Sequence, residues 1–372
     1  MSTSITTASA KRNPIWAGAK QEAPLLAMLA FLIVLPFIIG LLDGHSPGDV
    51  LANQSGNAKF YQGLLIEVFV LAIFAISYDL LLGITGLLSF GHAMFFAVGA
   101  YVTGIMLKSF NWPFLPTLGM VVIAGVVQAL LFSIVLPRVK GITFALVTLG
   151  MASMFHIVIM SHELSKFAGG DVGLQGVPKP TFLNAATNRI GFYFVALAFT
   201  FLVYLFYRRF VASPTGRVCL AIRENEDRVK MLGYNPFYFK LAALIVASIT
   251  AALAGALHTL YQPIVSPSTA SLGYTVAALL MILIGGVGTL SGAMIGAGTY
   301  RLLEFFLNKL FGESSSFLLG LVYVALVLFV PYGIIGTWRA RSLEWRTAWR
   351  ERLRQWGISG RQGDKEQVAG SK

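Results

Sequence analysis

Cysteine is almost absent from this sequence of 372 residues, and charged side chains are scarce. The single cysteine, Cys219, excludes an internal disulfide and any metal cluster built from several cysteine ligands. Charged residues make up 12% of the chain, about half the share found in typical soluble domains. The composition is therefore not that of a soluble globular protein.

Two of the short motifs that carry catalysis or nucleotide binding are also missing. There is no glycine-rich phosphate loop ending in Lys and Ser or Thr, and no H-E-x-x-H zinc motif. The histidines are scattered, so a metal site would need separate segments to converge; they are His45, His92, His156, His162 and His258. We therefore expect no enzyme activity, no metal site and no cofactor in this chain.

Hydrophobic residues are abundant, at 56% of the chain, and the mean hydropathy is +0.73. A helix needs roughly 20 apolar residues to cross a bilayer. Such stretches lie at about 24–42, 62–82, 87–107, 114–136, 141–161, 190–208, 239–261, 271–287, 291–311 and 316–336. We predict an all-α polytopic membrane protein with about ten transmembrane helices (eight to ten). The short glycine turns at 83–86 and 288–290 leave open re-entrant or broken helices at those points.

The distribution of Lys and Arg predicts the orientation in the membrane. With ten spans and both termini in the cytoplasm, most of the 28 basic residues fall on the cytoplasmic side, as the positive-inside rule requires. This gives a cytoplasmic tail at 1–23, a transmembrane domain at 24–336 and a basic tail at 337–372. The net charge of +12 is explained by the basic residues on the predicted cytoplasmic face, so we do not expect nucleic-acid binding.

The C-terminal tail has the pattern of an amphipathic helix. Trp345, Trp349, Leu353 and Trp356 share one helix face, and arginines cover the rest. Such a helix suits the lipid headgroup region. It is expected to anchor the end of the last span, with a regulatory role as the alternative.

The segment 213–240 is the most polar stretch between two predicted spans. It reads SPTGRVCLAIRENEDRVKMLGYNPFYFK and alternates basic with acidic side chains. Ionic groups are costly in hydrocarbon, so this loop must lie in water. We predict that it is cytoplasmic and docks to a soluble partner.

Polar groups inside the predicted spans are functional candidates because the bilayer makes them expensive. They are Glu67, Asp79, His92, Gln128, His156, His258, Arg301 and Glu304. Arg301 and Glu304 are three residues apart, so we expect them to pair along one helix. Ion coupling through Glu67, Asp79 and Glu304 is the alternative, and it would make the protein a secondary transporter.

Two glycine-rich segments share the pattern G-x-x-G-x-L-S. It falls on Gly83, Gly86, Leu88 and Ser89, and again on Gly285, Gly288, Leu290 and Ser291. Glycine at such places lets helices approach closely or lets the backbone unwind toward a ligand. The match indicates two related halves in a parallel repeat, with chance or ordinary packing as the alternative.

Four blocks of the sequence resemble the LivM-type inner-membrane permeases of branched-chain amino acid ABC transporters, a family that includes urea and amide permeases. They are DLLLGITGLLSFGHAMFFAVGAY (79–101), AGGDVGLQGVP (168–178), GRVCLAIRENEDRVKMLG (216–233) and the segment 254–297 with LIGGVGTLSGAMIGA. The resemblance implies a permease in the bacterial inner membrane that translocates branched-chain or other small amino acids. Urea or short amides are the alternative substrates.

The resemblance also implies partners and site residues. The partners are a second, LivH-type permease, two cytoplasmic ATPases that hold ATP and Mg²⁺, an extracytoplasmic solute-binding protein and membrane lipid. A short helix from about Arg217 to Leu232 would couple to the ATPases. Its coupling residues are Gly216, Arg217, Ala221, Arg223, Glu224, Asn225, Glu226, Leu232 and Gly233. The expected translocation path comprises Gly83, Gly86, Ser89, Gly91, His92, Gly285, Gly286, Gly288 and Ser291.

Overall fold

A computed structural model describes residues 14–52, 56–180, 183–262, 264–329 and 333–337. Its helices are α1 (Pro14–Leu42), α2 (Pro47–Leu51), α3 (Gly56–Asp79), α4 (His92–Lys108), α5 (Phe114–Ser133), α6 (Ile142–Met160), α7 (Ser165–Ala168), α8 (Arg189–Ala212), α9 (Pro214–Glu224), α10 (Glu226–Met231), α11 (Pro236–Tyr261), α12 (Leu272–Gly285), α13 (Leu290–Phe311) and α14 (Ser315–Phe329). A π-helical turn, Leu80–Ile84, extends α3, and 3-10 turns lie at Gly170–Val172, Pro267–Ala270 and Gly312–Ser314. Residues 333–337 are also helical. The prediction of an all-α polytopic membrane protein is confirmed.

Helix length separates full spans from shorter ones. Among the described residues five helices are long and apolar enough to cross a membrane, namely α3 with its π-helical extension, α5, α6, α8 and α11. Helices α12 and α13 form a pair bent by 115° that counts as a sixth if it is one broken span. Helix α4 has 17 residues, a rise of about 26 Å, which is just short of a full crossing. Each of the ten predicted segments contains a helix, and the number that cross the membrane stays a prediction.

Helices α3 and α11 lie at the centre of the bundle. The apolar stretch of α3 is 83% buried and that of α11 is 61% buried, whereas α5 and α6 are each 28% buried. Close backbone approach explains part of the packing: a Cβ on Gly99 of α4 would overlap the carbonyl oxygen of Ala252, and a Cβ on Gly255 would overlap that of Phe96. Small residues at crossings let membrane helices pack in this way.

Helices α5 and α6 carry part of the apolar surface of the bundle. Leu115 and Ile123 of α5 are exposed, as are Ile142 and Met154 of α6. In a soluble protein such a surface would aggregate. Here it is suited to lipid or to a second membrane subunit.

A two-residue strand pair joins distant loops. Strand β1 (Leu174–Gln175) pairs antiparallel with β2 (Ile264–Val265), which follows α11. Lys108 at the end of α4 donates from Nζ to the carbonyl oxygen of Gln175 at 2.7 Å. The glycine-rich segment 168–178 is therefore attached to the ends of α4 and α11.

The predicted tails fall largely outside the described residues. Helix α1 begins at Pro14, within the predicted tail 1–23, and its apolar part is Ala27–Leu42. The predicted amphipathic helix with Trp345, Trp349, Leu353 and Trp356 lies outside the described residues.

Candidate functional site

The loop 213–240 folds into two short helices, not one. The Ser213 side chain caps α9 by accepting a hydrogen bond from the Gly216 N–H at 3.2 Å, with Pro214 at the first position. Asn225 then has an extended backbone, and its Oδ1 accepts from the Arg228 N–H at 2.9 Å to start α10. The prediction of a single helix from Arg217 to Leu232 is wrong, because the capping conformation of Asn225 cannot continue a helix.

The two helices present an exposed surface that is partly polar and partly apolar. The exposed residues among the predicted coupling set are Arg217, Ala221, Arg223, Glu224, Asn225, Leu232 and Gly233. Met231 and Leu232 are 82% and 71% exposed. Large apolar side chains set among charges are typical of a protein interface.

Gly216 is the buried member of the predicted coupling set. A Cβ there would overlap the carbonyl oxygen of Phe210. The glycine therefore allows α9 to turn tightly against the end of α8. Its position supports a packing role and not direct contact with a partner.

Glu226 is a half-buried centre of positive charge contacts. Its Oε2 accepts from Lys240 Nζ at 2.9 Å, and Lys140 and Lys230 lie 3.6 and 3.5 Å from its carboxylate. Burial opposes ionisation of Glu226, but the Lys240 hydrogen bond and the three lysine charges outweigh it and lower the pKa of this carboxyl. The contacts join α10 to α11 and to the loop between α5 and α6.

The two glycine turns meet each other beneath helix α9. Oδ1 of Asp79 accepts a hydrogen bond from the Gly288 N–H at 2.7 Å. A Cβ on Gly83 would lie 2.8 Å from Gly288 Cα, so only glycine permits this approach. The repeated motif thus marks two segments that touch in the folded protein.

Arg223 connects helix α9 to the same place. Its Nη1 donates to the carbonyl oxygen of Gly83. Gly86 has a φ of +77°, and a Cβ there would lie 3.2 Å from Arg223 Cα. Gly288, with φ +78°, would place a Cβ 2.9 Å from Arg223 Nη1. We call Asp79, Gly83, Gly86, Arg223 and Gly288 the coupling node.

The other predicted path residues are mostly packing positions in this structure. Those that are buried are Ser89, Gly91, His92, Gly285 and Gly286, and Ser291 is half-buried. The Nε2 of His92 lies 2.8 Å from Ser77 Oγ, and its ring stacks with Phe74 and Tyr78. Their assignment to a translocation path stays a prediction.

A charged cluster crosses from α3 to α13 in the half of the bundle away from α9. Arg301 Nη1 donates to Glu304 Oε2 at 2.7 Å, which confirms the predicted pairing. Its Nε also donates to Glu67 Oε2 at 2.6 Å. Gln262 Nε2 donates to Glu67 Oε1 at 2.8 Å. Sequence spacing does not reveal these last two bonds, because Glu67 is 234 residues from Arg301.

The segment Gly44–Gly48 matches the G-x-S-x-G pattern of serine hydrolases, but its serine caps a helix. Ser46 Oγ donates to Asp49 Oδ2 at 2.9 Å and accepts from the Asp49 N–H at 3.3 Å. The hydrogen bonds from Ser46 lower the pKa of Asp49.

In the described part of the chain, no group of three His, Cys, Asp or Glu side chains is placed to hold a metal ion.

These features define a class of protein: an α-helical polytopic membrane protein with an exposed polar surface at one end of its bundle. The family model described as "Branched-chain amino acid transport system / permease component" matches residues 60–330. The chain belongs to this family, and it is the permease subunit of an ABC importer.

Individual relatives agree with the family. The high-affinity branched-chain amino acid transport system permease protein LivM of Salmonella typhimurium is 26% identical over 343 residues, which cover 85% of this chain and 75% of that protein. LivM of Escherichia coli is 25% identical with the same coverage. The LivH protein of Salmonella typhimurium is 24% identical over 283 residues, covering 71% of this chain and 91% of its own length. No solved structure matches the chain at a comparable level.

Proposed function

We propose that this chain translocates branched-chain or other small amino acids across the bacterial inner membrane. The names of the LivM and LivH relatives support this solute class. The placement of Lys and Arg supports an orientation with both termini and the loop 213–240 in the cytoplasm. About ten crossings fit that orientation.

The assembly that we propose contains a second, LivH-type permease, two ATPases and an extracytoplasmic binding protein. ATP and Mg²⁺ are held by the ATPases. The exposed surface of α9 and α10, with Met231, Leu232 and Glu224, is the docking surface for one ATPase. Charged contacts there set the register of docking more than its affinity.

The coupling node carries the mechanism. Closure of the ATPases around ATP displaces α9, and Arg223 transfers that displacement to the Gly83 carbonyl at the end of α3. The Asp79 bond passes it to Gly288, two residues before α13 begins. Helices α3 and α13 therefore move together, and access to the solute path changes from one side of the membrane to the other.

One observation supports this proposal most directly: Arg223 on α9 donates a hydrogen bond to the backbone of the first glycine turn. In the part of the chain that the structure describes, the side chains of Glu224, Met231 and Leu232 make no hydrogen bond to the helix bundle. Docking and transmission are thus assigned to different side chains of one segment, so they can be separated by mutation.

The test is co-purification and uptake in proteoliposomes, using the permease co-expressed with its second permease, ATPases and binding protein. The double substitution Met231→Ser and Leu232→Ser removes exposed apolar contact area. We therefore expect the ATPases to be lost from the purified complex. Arg223→Ala should retain the ATPases and their ATP hydrolysis but lose at least 90% of uptake. Leu310→Ser, a 72% exposed position at the end of α13, serves as the control and should behave as wild type.

Two results would contradict the proposal. If the Met231/Leu232 variant kept the ATPases and full uptake, the assignment of α9 and α10 as the docking surface would be wrong. Uptake by the wild-type chain without any ATPase, abolished by an uncoupler, would indicate an ion-coupled carrier that uses its membrane carboxylates.

A further inference from the structure

A cavity of about 410 Å³ lies between α3, α11, α12 and α13. At a liquid volume of about 30 Å³ per molecule, it could contain roughly a dozen waters. Its polar wall includes Glu67, His258, Gln262, Tyr274, Arg301 and Glu304. The cavity therefore combines room for a small ligand with charged groups that converge on it.

The cavity lies apart from the coupling node. Glu67 precedes Asp79 by twelve residues along α3, a rise of about 18 Å. Arg301 follows Leu290 by eleven residues along α13, which is about 16 Å. None of the nine predicted path residues lines it. The site is thus distinct from the glycine turns, although the same two helices connect them.

The charges in the cavity do not cancel. Arg301 bonds to both Glu67 and Glu304, so two carboxylates share one guanidinium. The cluster carries one formal negative charge in excess, which is costly inside a membrane protein unless a cation balances it. A primary ammonium group would supply the missing charge.

Arg301 also retains capacity for a ligand. Its Nε donates to Glu67 and its Nη1 to Glu304, and its Nη2 also contacts Glu67, which leaves two of the five N–H donors of a guanidinium. The unused donors suit a carboxylate, which arginine binds well. A ligand with both an ammonium and a carboxylate matches the cluster better than a simple cation or anion.

The remaining wall is apolar. Val70 and Leu71 of α3, with Ala277 and Met281 of α12, line the same cavity. A branched aliphatic side chain would gain about 25 cal/mol for each Å² that it buries there. The wall and the charged cluster together describe an amphiphilic zwitterion.

We propose that this cavity is a transient binding site for a zwitterionic α-amino acid inside the permease, with the ammonium at the Glu67–Glu304 carboxylates, the carboxylate at Arg301 and the side chain on the apolar wall. This inference rests on the proposed function as an amino-acid permease. It adds a selective step within the membrane to the selection made by the binding protein.

Binding of radiolabelled L-leucine to the complete permease–ATPase complex in nanodiscs, without binding protein, tests the proposal. Unlabelled L-leucine should compete, whereas isopentylamine, which lacks the carboxylate, and 4-methylpentanoate, which lacks the ammonium, should compete at least tenfold more weakly. Equal competition by either analogue would overturn the zwitterion assignment.

Variants locate the site. Ala277→Phe fills the cavity without altering charge, and Glu304→Gln removes the excess negative charge; each should weaken L-leucine binding at least tenfold and raise the KM of uptake. Lys309→Gln, an exposed position on the same helix, should bind as wild type. Retained ATPases and a single, unshifted peak in size-exclusion chromatography confirm that each complex is folded.

The outcomes separate this inference from the proposed function. Wild-type complex that imports L-leucine with its binding protein but shows no direct binding, or variants that bind as wild type, would overturn the cavity site and leave the function intact. A complex that imports no amino acid with any binding protein would overturn the proposed function itself, and the cavity site with it.

Discussion

The carboxylate of Asp79 accepts a hydrogen bond from the backbone N–H of Gly288, a residue 209 positions further along the chain. The bond thereby joins a residue four positions before the first copy of the G-x-x-G-x-L-S motif to the second copy. It also joins the end of α3 to the start of α13. The two copies of the motif therefore pack against each other.

Replacing Asp79 should loosen this junction in a graded way. Asp79→Ala leaves the Gly288 N–H without its partner, at a cost of about 1–3 kcal/mol. Asp79→Asn keeps an acceptor oxygen for the Gly288 N–H, so its loss of stability should be smaller than that of Asp79→Ala. Thermal unfolding of the detergent-purified permease should rank wild type above Asn and Asn above Ala. Identical melting temperatures for all three would show that the bond contributes nothing.

The glycines of the node should not tolerate alanine. Gly83→Ala would place a Cβ 2.8 Å from Gly288 Cα, and Gly288→Ala combines a positive φ with a Cβ 2.9 Å from the Gly83 oxygen. We expect ATP-driven uptake to fall at least tenfold for each. Gly150→Ala on α6 is the matched control, because no atom lies within 4 Å of its Cβ position. Equal uptake by all three variants would contradict the packing of the two turns.

Glu226→Gln should destabilise the protein in a pH-dependent way. The change removes a hydrogen bond between charged groups, worth about 1.5–3 kcal/mol, from Lys240, which is only 7% exposed. The pKa of Glu226 is lowered from 4.5, so its stabilisation is complete above pH 4.5 and is lost as the pH falls below that value.

Melting temperatures at pH 7 and below pH 4.5 test this difference. The gap between wild type and Glu226→Gln should be present at pH 7 and should narrow in acid. Asp227→Asn is the control, because the Asp227 side chain is 75% exposed and exposed ion pairs contribute only about 0–1 kcal/mol. A difference in melting temperature that grows in acid would contradict the predicted role of Glu226.

Thiol labelling should test the proposed docking surface. Cys219 is buried on α9, and burial raises the pKa of its thiol, so a maleimide should react with it slowly in the native protein. Leu232→Cys in a Cys219→Ala background places a thiol at an exposed position and should react quickly. Bound ATPases should then protect Leu232→Cys, whereas unchanged labelling would exclude this part of the loop from the interface.

Local features of this fold could be predicted from the sequence. Long apolar stretches locate the helices, and the spacing of Arg301 and Glu304 predicts their pairing. Contacts between distant segments could not be predicted in this way, because periodicity describes one element at a time. The Glu67–Arg301 and Asp79–Gly288 bonds each join residues more than 200 positions apart.

The candidate site was predicted only in part, because sequence patterns describe one segment at a time. The density of charge in 213–240 identifies a segment that must leave the membrane. It does not distinguish the exposed Leu232 from the buried Gly216, because both occur in a short polar stretch. The break at Asn225 carried a sequence signal that the charge pattern obscured: Asn is a favoured N-cap, and Glu226 and Asp227 follow it.

Helix α11 has 26 residues, a length of about 39 Å, and both of its ends are fastened to other segments. At one end Lys240 holds Glu226 of α10. At the other end β2 follows the helix and pairs with Leu174–Gln175. The helix therefore links the loop 213–240 to the loop 168–178. A displacement of either loop should move the other.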